Sequence, residues 1–279
     1  MTSRASPFAR AGLALPQKPR RAGGLRGLIE QAGVALACLL AWHLLVAWQW
    51  VPSSGVSAPG PALARWGELL LTSAYWQVLG HTLGGWFIGM AISVLVAVPL
   101  GVAIGLSRFL SDSTRFTIDF LRTVPPVALL PVVLLLLGPT LTMKVTLIVV
   151  GTLWPMLIQS IYAASQIDPV LRDAAQSFRL SRSHRIRFLL LPSVAPFVAT
   201  GLRIAATVSL LLSVTGEYIG GAPGLGAALG SAELAGNLPE MYAYILTAAT
   251  LGVAINIGFI VLQRQLLWWH PSVRIAPRG

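Results

Sequence analysis

The chain has 279 residues and a formal net charge of +11, yet only 10% of its residues are charged, against about 25% in a soluble domain. A mean hydropathy of +0.74 excludes an ordinary soluble domain and predicts an all-α membrane protein. The single cysteine, Cys38, excludes an intrachain disulfide and a cysteine metal site, and no metal or cofactor is expected.

The chain opens with a basic segment followed by a long apolar run. Residues 1–27 are rich in Arg, Pro, Gly and Ala, which predicts a disordered cytoplasmic tail. The run Leu28–Val51 exceeds the roughly 7–15 apolar residues of a signal peptide and suits a membrane span of about 20. Trp42, Trp48 and Trp50 lie toward its outer end, as interfacial aromatics do. A first membrane helix is therefore predicted.

Five further apolar runs complete a predicted membrane domain over residues 28–269, with its core at 78–269. The predicted spans are Val78–Leu106, about Val124–Leu137, Val145–Ala164, Phe197–Ile219 and Tyr242–Trp268. The segments between the spans are predicted to be loops, and residues 270–279 a short cytoplasmic tail. The sequence thus predicts six transmembrane helices.

Glycines and prolines distinguish the second and third spans. Glycines recur four residues apart in the second span, at Gly85, Gly89, Gly101 and Gly105. That spacing lets helices approach closely, so we expect packing contacts there, with a pore-lining row as the alternative. The short third span contains Pro125, Pro126 and Pro131, which bend a helix. Interrupted spans often line transport sites, so these prolines are candidates for the translocation path or its gate; an ordinary kinked helix is the alternative.

The stretch 166–196 is a polar island between two apolar runs. Its arginines are Arg172, Arg179, Arg182, Arg185 and Arg187. Apolar or small residues recur at the spacing of one helical face, at Val170, Leu171, Ala174, Ala175 and Phe178. Ser181 is placed to cap a second short helix, and Pro192 and Pro196 are expected to stop regular structure before the next span. Two short helices with a basic rim and an apolar seam are suited to docking on a partner.

Short motifs in and after this stretch resemble a known family. They are Asp173-Ala174-Ala175, Leu191-Pro192 and Gly201-Leu202-Arg203. They resemble the cytoplasmic "EAA" loop of ABC importer permeases, and the later Glu217 with Gly224-Leu225-Gly226 is similar to the nitrate/sulfonate/taurine branch. The likeness extends from about His81 to Trp269. Asp173 replaces the family's Glu, and Arg179 replaces its turn glycine, which costs roughly 1–2 kcal/mol if the turn needs positive φ.

The resemblance implies a type I importer permease fold and a multi-subunit complex. That complex contains two permeases, expected here to be a homodimer with a heterodimer as the alternative, two ATP-binding subunits and a periplasmic solute-binding protein. In this family the loop docks on the ATP-binding subunit, so the expected coupling residues are Asp173, Ala174, Ala175, Phe178, Arg179, Ser181 and Arg182. The implied solute is a small anion or zwitterion such as a sulfonate, taurine or nitrate, with a thiamine precursor as another possibility.

The distribution of basic residues predicts the orientation. Of the twenty Lys and Arg residues, all but Arg65 and Lys144 fall on the side that carries the two tails and the stretch 166–196. Cytoplasmic segments carry an excess of such residues, so both termini and this stretch are predicted to be cytoplasmic in a bacterial inner membrane. This bias explains the net charge without a nucleic-acid partner.

Motifs for catalysis are absent from the sequence. It contains no G-x-x-x-x-G-K-[ST], G-x-S-x-G or H-E-x-x-H, so the chain is not expected to be an enzyme, and ATP hydrolysis is expected on a separate chain. Glu217 is nearly alone as a carboxylate in the apolar spans and needs a partner or water. It either accepts hydrogen bonds from the glycine-rich outer loop and holds a gate shut, or contacts the solute. A membrane channel or scaffold without an ATPase is the rival class.

Overall fold

The computed structural model describes residues 25–48, 50 and 55–268, and the chain divides into two units, Met1–Ser54 and Gly55–Gly279. The described part of the first unit is one helix, α1, at Leu25–Ala47. It covers most of the first predicted span. Residues 1–24 of the predicted tail 1–27, the outer end of that span and the C-terminal tail lie outside the described residues, while residues 25–27 of the predicted tail belong to α1.

The described residues of the second unit form ten α-helices and no strand, which confirms the all-α prediction. They are α2 (Pro59–Leu70), α3 (Ser73–Leu106), α4 (Arg108–Leu121), α5 (Leu130–Leu137), α6 (Leu141–Ser165), α7 (Pro169–Ser177), α8 (Arg182–Arg185), α9 (Leu191–Gly220), α10 (Leu225–Leu234) and α11 (Leu238–Leu266). A 3₁₀ turn at Pro126–Leu129 precedes α5, and a π-helical segment at Ile186–Leu190 joins α8 to α9.

Four helical segments among the described residues are long and apolar enough to cross a membrane. They are Ser73–Leu106, Leu141–Ser165, Arg182–Gly220 and Leu238–Leu266. Arg108–Leu121 and Pro126–Leu137 form a fifth candidate, bent by 70°. Pro125 and Pro126 lie at this bend, where each removes a backbone donor and restricts the residue before it. The predicted second to sixth spans thus each fall on an apolar helix or on this bent pair.

Three segments predicted as loops contain helices instead. The outer loop 52–77 holds α2, the polar segment 107–123 forms α4, and the loop 220–241 holds α10. In α4 the side-chain oxygen of Ser107 accepts a hydrogen bond from the Leu110 N–H, 3.3 Å away, which caps the helix. Charged residues recur along α4 at helical spacing, and so do aromatic residues. The segment that the sequence presents as polar is therefore an amphipathic helix.

The expectation that Pro192 and Pro196 stop regular structure is wrong. Helix α9 begins at Leu191 and runs through both prolines to Gly220. Pro192 lies in the first turn of α9, where its missing N–H is least costly. Pro196 lies inside α9, one turn after Pro192, where it removes one backbone donor without ending the helix. The proline pair therefore marks the entry to a span rather than a break before it.

The glycines of α3 pack against α6. A Cβ at Gly101 would lie 2.7 Å from the carbonyl oxygen of Leu157, and one at Gly105 would overlap the carbonyl oxygen of Ile161. Side chains of α6 fill the corresponding space at the other two glycines of this row. The packing prediction is confirmed, because all four glycines face a neighbouring helix rather than an open channel.

An ion-pair network joins α2 to α11. Arg65 donates to the carboxylates of Glu68, at 2.8 Å, and Glu240, at 2.9 Å. These hydrogen bonds, above all the one to Glu68, raise the pKa of Arg65 above its ordinary value. The predicted outer loop is therefore an ordered helix tied to the start of α11.

The predicted orientation can be tested with single cysteines in a Cys38→Ser background. Leu234 is 92% exposed at the end of α10, and Ser183 is exposed in α8. We expect a membrane-impermeant thiol reagent to label Leu234→Cys in intact cells, because α10 lies in a predicted periplasmic segment. Ser183→Cys should react only after permeabilisation. Labelling of Ser183→Cys in intact cells would reverse the assigned orientation.

Candidate functional site

The most buried charges among the described residues form an ion pair. The Nζ atom of Lys144 donates to Oε1 of Glu217 at 2.6 Å, and the two side chains are 2% and 0% exposed. Lys144 lies in the first turn of α6 and Glu217 in the last turn of α9. Glu217 therefore has a cationic partner. In the sequence Glu217 was nearly alone as a carboxylate, and Lys144 served only as one of the two basic residues on the outer side.

The ammonium of Lys144 uses all three of its hydrogen-bond donors. Besides Glu217 it donates to the carbonyl oxygens of His81, at 2.9 Å, and Pro223, at 3.0 Å. Gly85 provides the space for this side chain, because a Cβ there would lie 2.5 Å from Lys144 Cε. Lys144 thus links α3, α9 and the loop before α10, and no donor is left for a solute in this arrangement.

The carboxylate of Glu217 is satisfied as completely as its partner. Its Oε1 also accepts from the hydroxyl of Ser213 at 3.1 Å. Its Oε2 accepts from the hydroxyl of Thr82 at 2.9 Å and the N–H of Gly226 at 3.1 Å. A direct contact between Glu217 and a solute would require these bonds to open.

The N-terminus of α10 is held by this cluster. Thr82 accepts a hydrogen bond from the N–H of Leu225 at 2.8 Å, beside the bond from Gly226 to Glu217. A carboxylate at a helix N-terminus is favourable because the unsatisfied N–H groups carry partial positive charge. Gly224 has φ 153°, and a Cβ at Gly226 would overlap the backbone of α9. The predicted hydrogen bond from the glycine-rich loop is therefore present, and both flanking glycines are sterically required.

The three candidate prolines lie at or just after the bend between α4 and α5, and none of them belongs to the cluster around Lys144 and Glu217. Pro125 and Pro126 stand at the 70° bend, and Pro131 lies in the first turn of α5. Pro126 packs toward α6, since a Cβ at Gly151 would come 3.1 Å from its Cγ. Pro125 and Pro131 are exposed. These prolines shape a broken span; a role in the path is a proposal taken up below.

The stretch 166–196, the predicted docking stretch, presents apolar side chains to its surroundings. Helix α7 begins after Asp168, whose carboxylate accepts from the N–H of Val170 at 2.8 Å. Val170, Leu171 and Phe178 are exposed, Phe178 to 78%. Ala174 is half-buried, and Ala175 is only 6% exposed. The predicted apolar face is therefore only partly available to a partner. Its large residues point outward, whereas Ala175 packs within the chain.

Ser181 begins the second short helix as predicted. Its hydroxyl oxygen accepts from the N–H of His184 at 3.4 Å, which confirms the cap. Asp173 and Arg182 are exposed, and Arg185 donates from Nε to the carbonyl oxygen of Leu180 at 3.1 Å. Arg182 and Arg185 thus follow a defined turn between α7 and α8.

Arg179 is the only non-glycine residue with positive φ among the described residues, at 48°. Its N–H donates to the carbonyl oxygen of Gln176 at 2.8 Å, and the N–H of Leu180 donates to that of Ala175 at 3.1 Å. This is the left-handed end of a helix, where glycine is favoured. The turn at Arg179 therefore has the positive φ on which the expected cost of roughly 1–2 kcal/mol depends.

Arg179→Gly is expected to be tolerated and to raise the melting temperature of the purified protein by about 2–4 °C. The physical reason is relief of roughly 1 kcal/mol of left-handed strain. Arg182→Gly is the matched control, because Arg182 lies in a right-handed turn where glycine only adds backbone freedom. If Arg179→Gly instead abolished assembly with an ATP-binding subunit, the arginine would make a contact of its own.

Family membership follows from the extent of the sequence match. Residues 89–267 match the family described as binding-protein-dependent transport system inner membrane component. The chain belongs to this family. It is accordingly a permease subunit of a transport system in the inner membrane.

Curated relatives of this permease are named for small oxyanions or zwitterions. It is 30% identical to the taurine transport system permease protein TauC of Escherichia coli (strain K12) over 204 residues, which is 73% of this chain and 74% of TauC. It is 28% identical to the nitrate import permease protein NrtB of Synechocystis sp. over 180 residues, covering 64% of this chain and 65% of NrtB. The similarity thus extends over most of the permease domain.

A solved structure shares the fold. A chain of the MetNI methionine ABC transporter, in an inward-facing conformation, matches with a TM-score of 0.61 and 19% identity, covering 69% of this permease and 95% of that chain. This likeness confirms the type I importer permease fold. Sequence reasoning missed Lys144, Thr82 and Ser213 as members of the site. The available signal was Lys144 itself, a cation at the start of an apolar run, since ionisable groups at membrane depth are functional by default.

Proposed function

We propose that this permease imports a small solute bearing an oxyanion group, such as a sulfonate, taurine or nitrate, with energy from ATP hydrolysis on a separate subunit. The observation that carries this proposal is the similarity to permeases named for taurine and nitrate. Family membership argues against a channel or scaffold without an ATPase. A thiamine precursor is the rival solute.

The same proposal assigns partners to the surfaces of the chain. The stretch 166–196 docks on an ATP-binding subunit through the exposed apolar residues of α7, with Asp173, Arg179 and Arg182 at its rim. Two such subunits, a periplasmic solute-binding protein and a second copy of this permease complete the transporter, because one bundle needs a second half to enclose a path. In this assignment residues 78–269 are the permease core between two cytoplasmic tails, 1–27 and 270–279.

The ion pair of Lys144 and Glu217 acts as the outer gate in this proposal. Its support is geometric, because the pair and Thr82 hold the N-terminus of α10 against α3, α6 and α9. Opening the outer end would require α10 to leave the carboxylate. The bend at Pro125 and Pro126, together with Pro131, supplies a second place at which a span can change shape.

Solute-stimulated ATP hydrolysis tests the proposed solute class. The permease would be reconstituted in vesicles with the ATP-binding subunit and binding protein of the same transporter. We expect taurine, an alkanesulfonate or nitrate to stimulate ATP hydrolysis and to accumulate inside. Omission of the binding protein is the control and should remove the stimulation. Stimulation by a thiamine precursor alone would contradict the oxyanion proposal while leaving the transport function intact.

A further inference from the structure

A cavity of about 340 Å³ lies beside the docking stretch, between the end of α3 and the α7–α8 pair. Three arginines line it, namely Arg172, Arg182 and Arg185. Its remaining wall is mainly apolar and includes Leu106, Leu189 and Leu190. A cationic rim on an apolar wall is the chemistry of a site for an amphiphilic anion.

The three arginines have no carboxylate partner within the described part of the chain, where the ion pairs involve Arg65, Arg122 and Lys144. Arg185 uses one donor on the carbonyl oxygen of Leu180, which leaves most of its guanidinium free. Three like charges around one cavity repel each other, and an anion between them would remove that cost. Guanidinium groups bind phosphate oxygens in pairs of parallel hydrogen bonds.

The position of the cavity indicates which anion it meets. Leu106 is the last residue of α3, a candidate membrane span, and Leu190 immediately precedes α9, the main part of another. The cavity therefore lies beside the ends of two candidate spans, on the side that the basic residues assign to the cytoplasm. Ile186 and Phe188 expose apolar side chains in the segment that joins α8 to α9. Basic residues at the cytoplasmic ends of spans attract the anionic headgroups of the inner leaflet.

We propose that this cavity binds the phosphate headgroup of an anionic phospholipid from the inner leaflet. Arg172, Arg182 and Arg185 hold the phosphate oxygens, and the apolar wall contacts the first carbons of the acyl chains. The exposed residues Val170 and Phe178 do not line the cavity, so α7 can meet a partner subunit on one face and the lipid on the other. The lipid would then fix the α7–α8 pair against the membrane.

Native mass spectrometry of the complete transporter, released from bilayers of phosphatidylcholine and phosphatidylglycerol, tests this site. We expect phosphatidylglycerol to be retained by the wild-type complex and to be reduced roughly tenfold by the double substitution R182Q/R185Q. Each single substitution should show part of the loss, which keeps the test valid if the double variant does not assemble. The control is Arg187→Gln, a neighbouring exposed arginine that does not line the cavity.

Three results would overturn the assignment. An equal loss of lipid in Arg187→Gln would mean that any basic surface charge suffices. Retention of added inorganic phosphate with no phospholipid would make the cavity a site for soluble anions. Arg182 also lies at the proposed docking rim, so Arg185→Gln decides the last point. Loss of the ATP-binding subunit from Arg185→Gln, with lipid still bound to the remaining permease, would place the cavity in the subunit interface instead.

Discussion

Lys144→Met is expected to destabilise the permease by roughly 3–5 kcal/mol, because it leaves the buried carboxylate of Glu217 without its counter-ion. Thr82, Ser213 and Gly226 would still donate to that carboxylate, but none of them carries a charge. Thermal unfolding of the detergent-solubilised protein measures the effect. The double variant K144M/E217Q removes both charges and should recover most of the loss. A double variant as unstable as Lys144→Met would contradict the electrostatic explanation.

Glu217→Gln separates the gate from the solute contact. The gate proposal predicts raised basal ATP hydrolysis or leak with solute preference unchanged, since the amide weakens the hold on α10 and Lys144. A direct contact instead predicts selective loss of amine-bearing solutes such as taurine, while simple sulfonates still pass. Tyr75→Phe is a matched control, because it removes a buried hydrogen bond to Thr247 at 3.2 Å but no charge. Wild-type behaviour of Glu217→Gln in both assays would defeat both accounts.

Phe178→Ala is expected to remove most of the coupled ATP hydrolysis. Phe178 closes α7 with 78% of its surface exposed, which is costly unless a partner covers it. Truncating an aromatic anchor at an interface costs about 2 kcal/mol or more, so affinity for the ATP-binding subunit should fall roughly thirtyfold. Phe116→Ala is the control, because Phe116 is 80% exposed but lies in α4, outside the stretch 166–196.

Ala174→Trp tests the same interface by enlarging a small side chain instead of truncating a large one. Ala174 is half-buried on α7, and overpacking a close contact there costs typically 1–3 kcal/mol. We expect the variant to fold in the membrane and to lose stimulated ATP hydrolysis. Ala175 is a poorer site for this test, because it is buried within the chain and its substitution would disturb α7 itself. Full stimulation in both Phe178→Ala and Ala174→Trp would refute docking through α7.

The features that sequence predicted well are those with a local physical signature. Glycines four residues apart identified the face of α3 that packs against α6, because close approach needs small residues at that period. The hydroxyl of Ser181 predicted a helix start, and Arg179 indicated backbone strain because it occupies a position that favours glycine. In each instance the sequence pattern that carries the prediction lies within a few helical turns of the residue.

The features that sequence missed depend on distant contacts or on mixed polarity. Lys144 and Glu217 are 73 residues apart, and no local pattern pairs a cation on one span with a carboxylate on another. Helix α4 was hidden because its charged residues share the segment with exposed aromatics such as Phe109 and Phe116. Pro192 was expected to stop the helix, although the first turn of a helix tolerates proline, and Pro196 lies inside α9 without ending it.

Because the two residues of the ion pair are far apart in the sequence, Lys144 is synthesised well before Glu217. Ribosomes add about 5–20 residues per second, so Lys144 is made roughly 4–15 s before the carboxylate that lies 73 residues later. In that interval its side chain can extend to interfacial water, because α6 begins only three residues earlier, at Leu141. Helix α9 then brings Glu217 to a cation already in place. A nascent chain that terminates between the two residues would keep an unpaired ammonium at the membrane boundary permanently.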